Sequence, residues 1–315
     1  MHSNRLVAAS LALALTMSAP ASALTFNITT APNATLSTAQ AAAFDAAAAA
    51  WSAVLIDNIT VNLQVGFVST LGQNILGSTS LTFAAPFSTS GVVAALATDA
   101  RSTDDAKAVA SFQALPPGNA TMLLTSAQAK ALGATLVGTD AIIEFSTNFQ
   151  FATTRNADGS TPQGFYDLIG VAQHEIGHAL GFVSSFDFSS PQQTNVPTLL
   201  DEYRFTALNT RATATGSAYF SLNDGLTSFA SFSPGGTGQY QASHWLQGTG
   251  ALMDPAVATG VSQNITALDI QALDVLGYDI AVPEPGSLAI LLVGMAGAAL
   301  MRRRPLSPMV QAAAR

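Results

Sequence analysis

An α+β fold is what this sequence predicts, on three observations. The first half alternates an alanine-rich helical stretch with strand-like patterns, a second helical stretch lies near the middle, and beyond Gly181 the composition shifts to Ser, Thr, Gly and Pro. With 315 residues, 49% hydrophobic and only 10% charged, the chain can bury a sizeable core in one or two domains. No internal repeat or linker demands two. The expected architecture is an N-terminal mixed sheet with a central helix, ending near residue 181, followed by an irregular C-terminal half, residues 182–281.

Each element has its own warrant. Residues 38–55 are rich in alanine with few breakers, which favours a helix. Residues 59–68 alternate apolar and polar positions (Val61, Leu63, Val65, Phe67), the period of a half-buried strand, whereas 74–80 are too mixed to assign. Helices are expected over 102–113 and, shorter, over 125–132. A strand over 141–145 leads into a polar loop, 155–162. Within it Asn156 to Ser160 faintly resembles a calcium loop but lacks the downstream carboxylates, so a plain turn is expected. Residues 165–180 read as a helix with Leu168, Val171, Ala172 and Ile176 on one side. The stretch to residue 240 is turn-rich, with a helix expected over 198–205. A last amphipathic helix fits 267–276, with Thr266 as N-cap, Asp269 three positions on, and Gly277 to end it.

The two ends read as sorting signals. Arg5, an apolar run from Leu6 to Met17 and Ala21-Ser22-Ala23 form a secretory signal peptide, residues 1–23, because the run is too short to span a bilayer. Near the other end, Pro283-Glu284-Pro285 precedes an apolar stretch, Ser287 to Met301, and Arg302-Arg303-Arg304. This resembles the bacterial PEP-CTERM sorting signal, here residues 282–304. The resemblance implies recognition by an exosortase, a transmembrane segment in the inner membrane before processing, and a short cytoplasmic tail, 305–315. The arginines orient the segment with that flank inside. A permanent single-pass anchor would leave the mature domain on the same side. Either way the domain is exported, to the periplasmic side, the cell surface or the medium.

Between the signals, residues 24–283 carry six Lys/Arg against eighteen Asp/Glu, a net charge of −12, so nucleic acid is not an expected partner. The absence of cysteine excludes disulfides and thiolate metal ligands.

Chemistry concentrates in the histidines. Of four, His2 belongs to the signal peptide, and two of the others form His174-Glu175-Ile176-Gly177-His178 within the central helix. A spacing of four stacks both imidazoles on one helix face, where they can bind a single ion. Glu175, about 100° around the helix from His174, can reach a water beside that ion as general base without being a ligand. The bland alternative is a pair of ordinary surface histidines.

A catalytic zinc site has three protein ligands. Residues 174–182, His-Glu-Ile-Gly-His-Ala-Leu-Gly-Phe, resemble the metzincin zinc peptidases, whose glycine, here Gly181, turns the chain sharply after the helix. In most metzincins the third histidine follows three residues later, but that position here is Ser184. The leishmanolysin branch places it some sixty residues on, shortly before a Met-turn, and this chain has Ser243-His244-Trp245 and then Ala251-Leu252-Met253-Asp254-Pro255. His244 takes the role by elimination and by resemblance. Met253 would be the Met-turn residue beneath the site, its alternative being a plain core methionine. The likeness spans residues 174–255 and departs in lacking leishmanolysin's cysteines. A thermolysin-like site, with Glu202 as third ligand, is the competing assignment.

What the resemblance implies is a zincin-like fold and a zinc-dependent endopeptidase acting on proteins or peptides. The other reading is a non-catalytic surface or matrix protein on the same fold.

Overall fold

A computed structural model of the chain describes residues 24–188 and 196–281. The signal peptide, the apolar segment 287–301 and the tail 305–315 lie outside the described residues. Among those described, no helix is long and apolar enough to cross a membrane.

The chain runs through β1 (Thr25–Thr30), α1 (Thr38–Ser52), β2 (Thr60–Val68) and β3 (Gly77–Leu81). Next come α2 (Thr89–Asp99), α3 (Thr103–Ala114), α4 (Ser126–Ala131), β4 (Ala141–Ser146) and α5 (Leu168–Ala179). Beyond these are β5 (Arg204–Ala207), β6 (Thr210–Arg211), β7 (Ala218–Phe220), β8 (Ala230–Phe232) and α6 (Ala267–Val275). The fold is α+β, and the described residues through Ile280 form one compact unit.

The first half is built on a mixed sheet of order β1-β2-β4-β3. Its first three strands are parallel and β3 runs antiparallel along the edge. The alternation in β2 does what its period dictates: Val61, Leu63, Val65 and Phe67 are buried on one face. α1 starts at a capping box, Ser37 with Gln40, and buries Phe44, Ala47, Ala48 and Trp51. Phe44 meets Phe145 of β4 edge-on at 5.1 Å, and both rings are fully buried, a contribution of roughly 1.5–3 kcal/mol each. Trp51 Nε1 donates to the Gln173 carbonyl at 2.9 Å and so ties α1 to α5.

α5 differs from its expectation in two ways. It begins at Leu168, because Tyr166–Asp167 pair as a short parallel strand with Phe151–Ala152 and the Asp167 carboxylate is taken by Arg155 at 2.6 Å. It is also buried on nearly every side, ten of its twelve residues being inaccessible, as befits a helix through the centre of the molecule rather than on its surface. Three of the named elements of this half escaped the sequence reading: β1, in which only Phe26 and Ile28 are apolar, α2, where Gly91, Val92 and Val93 give weak helical propensity, and β3, whose residues are all small or polar except Leu81. The loop around Asp158 is a turn closed by its own bonds, Asn156 N–H to the Ser160 carbonyl at 2.8 Å and Ser160 N–H to the Asp158 carboxylate at 3.0 Å.

The second half is less irregular than predicted. It contains an antiparallel sheet of order β6-β5-β7-β8. The helix expected over 198–205 is corrected to a single 3-10 turn, Leu200–Tyr203, that gives way to β5. The cause is Arg204. Its fully buried guanidinium donates to the carbonyls of Ala242 (2.7 Å) and Ser233 (3.2 Å) and lies 4.4 Å over Phe232, which holds the backbone extended there. α6 forms as expected, with Thr266 and Asp269 as a capping box and Gly277 (φ 97°) just past its end.

Candidate metal centre

α5 sets His174 and His178 one turn apart on one face, and the helix then stops abruptly. Gly181 adopts φ 112°, a left-handed conformation that closes the last turn: its N–H bonds to the His178 carbonyl at 3.0 Å, and the Phe182 N–H to the Gly177 carbonyl at 3.1 Å. Glycine is required there twice over, because a Cβ at this position would lie 2.1 Å from Cδ of the buried Gln128. The turn swings the Phe182 carbonyl back onto the Nδ1 of His178, 2.7 Å away.

His244 arrives from the second half. The Nε2 atoms of His174, His178 and His244 form a nearly equilateral triangle with sides of 3.1, 3.2 and 3.2 Å. Each ring is tied at its other nitrogen to a main-chain carbonyl: His174 to Leu252 (2.8 Å), His178 to Phe182 (2.7 Å), His244 to Gln241 (3.3 Å). A carbonyl can only accept, so each Nδ1 carries the ring proton and each Nε2 is left with a bare lone pair. Three lone pairs aimed at one another repel, and the arrangement is complementary to a cation at their centre. For two of the rings the surroundings also favour the neutral form. Burial, reinforced by the neighbouring His174, pushes the His178 pKa down to about 3, and burial with the other two rings holds His244 well below the ordinary range.

Glu175 lies beside this triangle, buried, with its Oε2 accepting from the Thr79 hydroxyl of β3 at 2.7 Å. Its other oxygen occupies space that exists only because residue 77 is glycine: a Cβ there would come within 2.8 Å of Oε1. Burial raises the Glu175 pKa above the usual carboxylate range, partly opposed by His174 and the Thr79 bond. Met253 is 1% exposed, and its sulfur lies 2.6 Å from where a Cβ of Gly177 would be, so the glycine within His-Glu-Ile-Gly-His makes room for the thioether. The peptide of Met253 is cross-linked to the ligand segment, Trp245 N–H donating to the Met253 carbonyl at 3.0 Å.

The structure therefore brings together His174, Glu175, His178, His244, Met253 and Gly181. It does not bring Glu202, the competing ligand, to this place. That carboxylate pairs with Arg211 at 3.2 Å and is no member of the histidine cluster, the group of described residues able to converge on a metal ion. Sequence reasoning missed Thr79, Gln128, and the anchoring carboxylates Asp187 and Asp269. For Asp269 a signal existed, its place in the capping box of α6. The same carboxylate also accepts from Leu252 N–H (2.9 Å), Met253 N–H (3.2 Å) and Trp245 Nε1 (3.0 Å), which fixes the floor of the site.

Fold and site together define an α+β protein with a buried three-histidine centre beside a carboxylate. Residues 281–304 match the family described as the PEP-CTERM protein-sorting motif. That motif implies recognition by exosortase-type sorting machinery and fits an exported protein with a C-terminal sorting tail. The chain matches no curated protein and no solved structure.

Proposed function

We propose that the chain is an exported zinc-dependent endopeptidase of metzincin type, with His174, His178 and His244 as ligands and Glu175 as general base. The observation that carries this reading is the triangle of unprotonated Nε2 atoms. Tetrahedral zinc with Zn–N bonds of about 2.0–2.1 Å separates its nitrogens by about 3.3–3.4 Å, close to the sides found here. Three neutral imidazoles with no thiolate or further carboxylate suit zinc better than the hard oxygen-seeking cations.

A zinc ion held there acidifies water towards neutrality and polarises a scissile carbonyl. The rest falls to the chain's own residues. Glu175, held at a fixed position by Thr79 and by the space at Gly77, takes a proton at its carboxylate and passes it to the leaving amine. The raised pKa of the buried carboxyl suits a group that must both accept and release a proton. β3, which carries Thr79, is an edge strand among the described residues, and an extended peptide would add to it as a further strand with its backbone close to Glu175.

Casein cleavage and zinc content test the reading together. Glu175→Gln is expected to keep zinc and lower kcat by about 10²- to 10⁴-fold. His244→Ala is expected to lose the metal, and Glu202→Ala to retain it. If Glu175→Gln and wild type behave alike in every assay, the sorting tail favours the second reading, a non-catalytic surface or matrix protein that keeps the metal for structure.

A further inference from the structure

We infer that Asp187 is the positioning residue of the third metal ligand, setting the affinity of the centre through the main chain of Ala242 and Ser243. The inference rests on the metal-centre reading above and deepens it.

The three ligands are not equally secured. His174 and His178 stand on a buried helix, and their ring tethers are short, 2.8 and 2.7 Å. His244 stands on a segment without regular structure, and its own tether, to Gln241, is the longest at 3.3 Å. Something else must hold its backbone. Both oxygens of Asp187 do so: one accepts Ala242 N–H at 2.7 Å, the other accepts Ser243 N–H at 2.7 Å and the Ser243 hydroxyl in a very short bond. The Ala242 carbonyl is held from the other side by Arg204 at 2.7 Å, so the peptides leading into His244 have no freedom to rotate. Charge-assisted bonds to a carboxylate are the strong kind, and three of them end one or two residues before the ligand.

The location of Asp187 gives the arrangement its logic. Position 184, where the short histidine motif would place its third ligand, is Ser184, and its N–H bonds to Ser243 Oγ at 3.2 Å, next door to His244. The chain thus delivers His244 to the spot that residue 184 vacates as a ligand, and Asp187, three residues further on, fastens it there. A residue that acts through the orientation of a ligand changes metal affinity by about 10- to 100-fold when removed.

The test uses the full chain and zinc itself, with affinity read by competition against a chromophoric chelator. Asp187→Asn is expected to weaken zinc binding about 10- to 100-fold, because in either orientation its NH₂ faces a main-chain N–H, that of Ala242 or of Ser243. In excess chelator it should melt within a few degrees of wild type. Asp140→Asn removes a buried carboxylate paired with Lys130 in the first half, and should lower the melting temperature while leaving zinc affinity intact. Ser243→Ala, which deletes one of the three bonds along with the acceptor of the Ser184 N–H, should weaken zinc in the same direction by less, and carries the test should Asp187→Asn fail to fold. Wild-type zinc affinity in Asp187→Asn, or in Ser243→Ala, would overturn the inference and leave the metal centre standing. A wild-type chain that binds no zinc would sink the metal reading and this inference with it.

Discussion

The two halves of this molecule reach order by different means. In the first, β1, β2, β4 and β3 satisfy one another's peptides in long registers, and rings such as Phe44, Phe145 and Trp51 fill the space beneath. In the second, strands are two to four residues long and much of the backbone finds its partner in a carboxylate instead. Asp187 holds residues 242 and 243. Asp201 receives Ser184 Oγ, Ser185 N–H and Thr198 N–H. Asp254 receives the N–H groups of Gly248 and Gly250, and Asp269 those of Leu252 and Met253. An exported domain of this kind is commonly stapled by disulfides. This one has no cysteine, and these carboxylates take over the task of fixing loops that no ladder can reach.

The comparison can be broken by substitution. The largest effect is expected at Asp269, whose carboxylate accepts five hydrogen bonds and is 1% exposed. Asp269→Ala strands buried donors and should cost about 3–5 kcal/mol in urea unfolding. It should also weaken metal binding about tenfold or more, since Leu252 orients His174. Ile143→Ala, at the centre of β4, should cost a similar or slightly smaller amount, about 3 kcal/mol, yet leave metal affinity unchanged. If it loosens the metal as much as Asp269→Ala does, the division of labour between the halves is wrong.

Next in size is Gly181→Ala at the joint between them. A left-handed alanine and a Cβ pressed onto Gln128 should together cost about 2–3 kcal/mol. Adding Gln128→Ala should recover the steric share and leave the conformational one, which a double-mutant cycle on thermal stability separates.

The smallest effect is a pH dependence from three aspartates: Asp57 between α1 and β2, Asp99 at the end of α2, and Asp274 in α6. Burial first, then neighbouring aspartates, raise Asp57 and Asp274 from 3.8 to about 7 and Asp99 to about 6; at Asp274 a bond from Ser102 opposes the rise. Between pH 4 and 7 the folded chain therefore keeps protons that the unfolded chain releases. By linkage the stabilisation is full below the unfolded value and is lost as pH rises through the folded one. With the metal chelated, His178 and His244, whose depressed values act in the opposite sense, titrate in wild type and variant alike, so the test is the difference between the two: Asp57→Asn should raise the melting temperature more at pH 8 than at pH 5.5. An equal shift at both pH values would contradict this.

Much of the first half was legible because its elements carry periodic signals. The alternation of Val61 to Phe67 located β2, the alanines α1, and the polar start at Ser102 α3. β3 and α2 were not legible: Gly77-Ser78-Thr79-Ser80 has no apolar alternation because its role is to flank Glu175, and Val92-Val93 in α2 favours strand as much as helix. At the site, the helical pair of histidines and Glu175 could be read from spacing, and His244 from the scarcity of other histidines together with a family resemblance, with Glu202 as the competitor. Asp187 could not, because an aspartate that binds peptides fifty-five and fifty-six residues away has no local pattern. Its meaning exists only once the chain has returned.

That return has a consequence for the architecture. The segment from 185 to 242 departs and re-enters at touching points, Ser184 and Ser243, and it brings its own clasp in Asp187. It is anchored from within as well, Arg204 reaching the Ala242 carbonyl and Asp201 the Ser184 hydroxyl, so its length can change without moving His244 only in exposed turns such as residues 206–210 and 213–215. Sequence change in those turns is then expected to leave the spacing of His174, His178 and His244 as it is.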